Sequence, residues 1–151
     1  MISKKTKYGL RALVVLAKEY QRSLVLISNL SKSERIPQKF LEAILLDLKN
    51  KGFLRSKKGK GGGYALAKSP DEITMGQIIR ILEGPLASVP CVSQTAYRKC
   101  DDCGEESICC IRVVMKEVRD AVANILDKTT LADILKRADN LTEKEAHTYF
   151  I

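Results

Sequence analysis

Apolar residues recur along this chain at helical spacing in six places, and at strand spacing in one. Leu10, Leu13, Val14 and Ala17 fall on one face of "KKTKYGLRALVVLAKEY", which predicts a first helix. "SLVLISNLSKSER" predicts a second, short helix over 27–34. "IPQKFLEAILLDLKNKG" predicts a third, with Pro37 in its first turn, Phe40, Leu41, Ile44, Leu45 and Leu48 as the buried stripe, and Gly52 as its stop. Off that stripe lie Gln38, Lys39, Glu42, Ala43, Lys49 and Asn50. "FLRSKK" and "GYALAK" then read as two strands of a hairpin. Phe53, Leu54, Tyr64 and Leu66 anchor it, and Gly59, Gly61, Gly62 and Gly63 supply the tip. A fourth helix follows in "ITMGQIIRILEG", where Thr74 and Gln77 have capping-box spacing and Gly84-Pro85 ends the run. After a loop, Ile111, Val114, Met115, Val118, Val122, Ile125 and Leu126 mark a long helix from Cys109 to Leu126. A further short helix starts in "TTLADILKRADN", with Thr130 as N-cap, before a tail that stays polar until its last three residues.

This order predicts a mainly helical chain with a small β-hairpin wing: a winged helix-turn-helix followed by a long helix. The expected organisation is a DNA-binding domain over 1–84, a cysteine-rich sensor loop over 85–108, and the long helix, short helix and tail over 109–151.

Charge sharpens the picture. The chain of 151 residues carries a net +8, unevenly distributed: residues 1–68 hold 16 Lys and Arg against 4 Asp and Glu, residues 69–151 hold 10 against 14. A basic front half fits a polyanion reader. Lys57, Lys58 and Lys60 crowd the glycine-rich hairpin tip, where they can reach phosphates or an adjacent groove while the third helix offers polar side chains to the major groove. A phosphate-cradling P-loop would need Gly-x-x-x-x-Gly-Lys-Ser/Thr opening a helix, and that order is absent. No window approaches the length of a membrane span, and no secretory cleavage pattern is present, so the expected location is the cytoplasm. No paired carboxylates or activated nucleophile suggest an enzyme. His147, the one histidine, lies in the polar tail and reads as solvated.

All five cysteines lie between 91 and 110. In a reducing compartment clustered thiols serve metal binding or redox sensing more often than disulfides. Cys100 and Cys103 have the C-x-x-C spacing that also suits zinc.

The residues now assembled resemble a known family, the small bacterial winged-helix regulators typified by IscR, NsrR and CymR. "TKYGLRALVVLA", the block from "RIPQKFLEAILL" through "KKGKGGGYALAKSPDEITMGQIIRILEGP", and "TTLADIL" carry the likeness over nearly the whole chain. The resemblance implies a homodimer joined through the long helix and a palindromic operator in double-stranded DNA. By position it places the reading-helix contacts on Pro37, Gln38, Lys39 and Glu42, and the minor-groove contact of the wing on Lys58, where some relatives have Arg.

The resemblance also implies an iron–sulfur cluster, 2Fe-2S or 4Fe-4S, held by three loop cysteines: Cys91, Cys103 and Cys109. The fourth ligand departs from the family. The IscR histidine falls on Arg112 and the NsrR aspartate near Lys7, neither of which can serve. Cys100 or Cys110 would complete a four-cysteine site; Cys100 is the better placed, because Cys110 points about 100° away from Cys109 on a helix and reads as a helix-packing residue. Zinc, redox thiols, or no metal are the alternatives. Finally, "TYFI" resembles the ending of CymR-type members, which implies that Tyr149, Phe150 and Ile151 dock into cysteine synthase. The bland alternative is that they pack back on the dimer helices.

Overall fold

The computed structural model describes residues 2–149, and six helices and one hairpin account for most of them. Helix α1 (Lys4–Lys18) starts at Ser3, whose hydroxyl accepts from the Thr6 N–H at 3.3 Å. It buries Thr6, Gly9, Ala12, Leu13, Leu16 and Ala17, so Leu13 and Ala17 lie inside while Leu10 and Val14 are only half-buried. α2 (Ile27–Glu34) and α3 (Gln38–Asn50) form the helix-turn-helix. Their turn is tight. Arg35 is left-handed at φ 52°, Ile36 is buried, and Ser31 and Ile36 exchange two hydrogen bonds of 3.0 and 2.6 Å. Pro37 stands one residue ahead of α3 as its N-cap rather than inside the first turn.

α3 buries Leu41, Ile44, Leu45 and Leu48, as its period predicts. Phe40 does not join them. It is 45% exposed and packs edge-to-face on Tyr8, with ring centroids 5.8 Å apart. The reason is angular: Phe40 lies about 100° from Leu41, off the axis that the other four share.

The wing pairs β1 (Leu54–Lys57) with β2 (Gly63–Leu66), antiparallel, in the register Leu54 to Leu66 and Lys57 to Gly63. Gly59, Gly61 and Gly63 take positive φ. Gly62 has a different role: a Cβ there would stand 2.2 Å from the Lys57 carbonyl oxygen, so only glycine lets the tip fold over. The structure adds a contact without a periodic signal, a two-bond bridge between Val25 and Tyr64 (2.9 and 2.8 Å) that ties the wing to the chain ahead of α2.

α4 (Met75–Leu82) carries the expected Thr74–Gln77 capping box. It meets α1 so closely that a Cβ on Gly9 would lie 2.3 Å from Leu82 Cδ1. α5 (Cys110–Leu126) follows the cysteine loop with Cys109 as N-cap and has no fully buried residue. α6 runs from Leu131 to Tyr149, much longer than the short helix and tail expected. No glycine or proline follows Gly104, so nothing stops it. Its start belongs to the core of the first unit: Leu131 is fully buried there, with Ile134 and Leu135 packed on the same cluster. Thr130 caps it, accepting from the Asp133 N–H at 3.1 Å while the Asp133 carboxylate accepts from the Thr130 N–H at 2.9 Å.

The N-terminus of α1 is fastened to the end of α4 by one carboxylate. Glu83 accepts from the Ser3 hydroxyl (2.6 Å), the Thr6 hydroxyl (2.5 Å) and the Ser3 N–H (2.9 Å), and these bonds hold its pKa down from 4.5 to about 2. A folded pKa below the unfolded one stabilises the protein above the unfolded value, and the contribution disappears as pH falls through the folded value. Glu83→Gln should therefore flatten the loss of stability between pH 4.5 and about 2. Denaturant unfolding at stepped pH measures this; parallel acid limbs for the two proteins would mean that the anchor is not titrating.

Candidate nucleic-acid interface and thiol cavity

Two groups of side chains stand out, one basic and exposed, the other thiol-lined. In the first turns of α3, Gln38, Lys39, Phe40, Glu42 and Ala43 all face solvent, as does the capping Pro37. Gln38 donates from Nε2 to Glu42 Oε1 at 3.3 Å, which orders these two polar groups relative to each other. One turn further along, Asp47 is tied to Lys5 of α1 at 2.8 Å. On the wing, Lys57, Lys58 and Lys60 are exposed, and none forms an ion pair among the described residues. Cations without protein partners on a stiffened hairpin are suited to phosphate contacts.

The second group lies in the loop from Pro85 to Cys109. Cys91 is buried in a 3₁₀ turn, Pro90–Val92. Cys100 and Cys103 bracket a tight turn closed by a 3.1 Å bond from the Cys103 N–H to the Cys100 carbonyl. Cys109 caps α5, its sulfur accepting from the Arg112 N–H at 3.4 Å. These four thiols line one cavity of about 310 Å³, together with Val89, Asp102 and Arg112. The Cys100 thiol is pushed up in pKa, first by its hydrogen bond with Cys91, then by desolvation and by the nearby Cys91, Cys103 and Asp102 charges. Cys110 does not line the cavity; it is exposed, against the expectation that it packs in the helix. Thiolates are the soft donors that iron–sulfur clusters and zinc accept. Among the described residues, no three His, Cys, Asp or Glu side chains are arranged to hold a metal ion. The thiols are gathered in one place, but not closed to ligating distances.

Arginines fasten this loop and the helix behind it, and spacing gave no sign of them. Arg112 Nε donates to the Cys91 carbonyl at 3.4 Å, and Arg119 Nη1 to the Val92 carbonyl at 2.6 Å. At the far end of α5, Arg80 of α4 grips Asp127 through two bonds of 2.5 and 2.9 Å, which hold the Asp127 carboxyl below the usual carboxylate range. Gly76 makes room for that pair: a Cβ there would meet Asp127 Oδ1 at 1.9 Å. His147 is exposed on the last turn of α6, and Tyr149 is 90% exposed. Phe150 and Ile151 lie outside the described residues. No helix among the described residues is long and apolar enough to cross a membrane.

A helix-turn-helix with a lysine-tipped hairpin and a separate long helix defines the class: a winged helix-turn-helix transcriptional regulator. Residues 2–137 match the model of the Rrf2 family, described as iron-dependent transcriptional regulators, and the chain belongs to that family. It is 41% identical over 138 residues to an rrf2-like HTH-type transcriptional regulator of Rhodobacter capsulatus, covering 89% of this chain and 92% of the relative. It is 33% identical to CymR of Bacillus subtilis over 99% of both chains. The solved structure of that CymR, described as the global cysteine regulator of B. subtilis, matches with a TM-score of 0.75 and 34% identity, over 91% of this chain and 97% of that one. IscR of T. potens matches with a TM-score of 0.72 and 30% identity, over 91% and 88%. The family is one of regulators rather than enzymes, and its likeness to IscR, NsrR and CymR stands.

Proposed function

We propose that this regulator binds a palindromic operator as a homodimer and senses iron–sulfur or redox status through its thiol cavity. Pro37, Gln38, Lys39 and Glu42 contact bases and backbone in the major groove. Lys57, Lys58 and Lys60 contact phosphates, with Lys58 entering the minor groove. α5 joins the two copies. The observation that carries the sensing half is the convergence of Cys91, Cys100, Cys103 and Cys109, from three separate stretches of loop and helix cap, on one cavity at the root of α5. A bound iron–sulfur cluster would supply one-electron chemistry and sensitivity to oxidants there. This chain's own residues do the rest. The four thiols would hold the cluster once the cavity closed on it, and Arg112 and Arg119 couple the Cys91–Val92 turn to α5, so a change in the loop biases the position of that helix. Repression is the expected output, and the cytoplasm the expected location.

Iron analysis and an absorption spectrum on anaerobically purified protein test the sensing half. Cys103→Ala and Cys109→Ala should each lose the iron and the visible absorption. Full retention by either variant overturns the ligand set, and stoichiometric zinc in colourless protein replaces the cluster with a structural metal. A second reading is favoured by the match to CymR over 99% of both chains: a cluster-free regulator of cysteine metabolism whose tail, from the exposed Tyr149 through Phe150 and Ile151, docks into cysteine synthase. Metal-free protein that binds the synthase, and loses it when the last three residues are deleted, supports that reading.

A further inference from the structure

Phe40 is the one large aromatic of the helix-turn-helix that its own fold leaves half-uncovered. It occupies the first turn of α3, beside Gln38 and Lys39, and is 45% exposed. Its ring is held rather than loose. Tyr8 of α1 meets it at 5.8 Å between centroids and 87° between planes, the edge-to-face geometry that aromatic pairs prefer. Tyr8 is itself only half-exposed, one turn along α1 from Lys4 and Lys5, and Lys5 is pinned to Asp47 of α3. The outcome is a pre-oriented apolar surface bordered by polar and basic side chains on the helix read as entering the major groove.

The major groove offers one apolar group to such a surface, the 5-methyl of thymine. We propose that Phe40 is a specificity-determining residue that reads a thymine methyl in each half-site, with Tyr8 as the positioning residue that fixes its ring. This rests on the DNA reading above and goes beyond the polar contacts assigned there. A side chain already ordered by Tyr8 loses little rotamer freedom on contact, so most of the gain from covering the methyl is retained.

The test separates this inference from that reading. Duplexes are selected from a random library with the full-length protein. Each thymine of the selected site is then replaced by uracil, which removes the methyl and leaves every hydrogen-bonding group in place. For the wild type, uracil at one position in a single half-site should weaken binding about four-fold, the worth of one buried methyl group, and about fifteen-fold when both half-sites are changed. Phe40→Ala should bind the thymine duplex more weakly and show no uracil penalty at that position. Phe40→Leu, which keeps an apolar side chain, should retain part of the penalty, and melting curves check that both variants fold. A wild type indifferent to uracil at every position, or a Phe40→Ala protein with the full wild-type penalty, overturns the assignment while leaving operator binding intact. Failure to select any duplex overturns the DNA reading and this inference with it.

Discussion

Alanine at Lys57, Lys58 and Lys60 together should cost about five orders of magnitude in the operator affinity of the homodimer at about 0.1 M salt. The size follows from counterion release. Each neutralised phosphate contributes a slope of about −0.9 in log affinity against log salt, so six contacts, three from each copy, are worth roughly 5.4 decades between 1 M and 0.1 M. The slope itself should flatten by about the same 5.4, and near 1 M salt wild type and variant should converge. The structure gives reason to expect full contributions. All three lysines are exposed and have no ion-pair partner among the described residues to surrender. The hairpin beneath them is stiffened by the Gly62 tip and by the Val25–Tyr64 bridge. Folding should be untouched, because none of the three packs on the core. Titrations at several salt concentrations decide the matter. An unchanged slope would mean that the wing makes no phosphate contact, whatever the affinity does.

How far the fold could be read in advance depended on local punctuation. α3, α4 and the hairpin each carry their own start or stop, in Pro37, Gly52, the Thr74–Gln77 box and the glycine cluster, and they appear where those residues put them. α6 was underestimated because its apolar stripe thins after Ala138, leaving only the absence of a breaker to signal that the helix continues. Phe40 was misassigned because a large apolar residue next to a buried stripe looks like part of it, and composition cannot register a 100° offset. The Val25–Tyr64 bridge, one residue pair, has no period to detect. The thiol cavity was half legible. The count and clustering of cysteines are sequence facts, but the loop that gathers them follows no repeat, and the arginines that fasten it look like ordinary polar-face residues until Arg112 and Arg119 are seen reaching the Cys91 and Val92 carbonyls.

Val114→Glu combined with Val118→Glu should convert the protein to a monomer and lower operator affinity by at least two orders of magnitude. Ile111, Val114, Val118 and Ile125 recur at spacings of three, four and seven along α5, which places them on one face, and they are 68, 56, 39 and 62% exposed in the single chain. The stripe runs about 21 Å. Apolar surface in that amount and that alignment is uncommon on a chain that stays alone. A second copy of the same helix is the self-complementary cover that a two-fold dimer would supply. Met115, Val122 and Leu126, half-buried on the inward side, keep α5 seated on its own chain, so two carboxylates on the outward face should leave the monomer folded. Burying unpaired carboxylates against a copy of themselves is what should abolish association. The affinity loss follows because a monomer must bind each half-site as a separate bimolecular event, and loses the effective concentration that linkage supplies, typically a factor of 10² to 10⁴. Light scattering on the eluting protein reads the oligomeric state, and melting reads the fold. If the double variant still elutes as a dimer with native stability, α5 is not the joint. The two reading heads would then have to be set at their half-site spacing by some other surface, with the consequence that the thiol cavity at the root of α5 would no longer have a direct route to the distance between them.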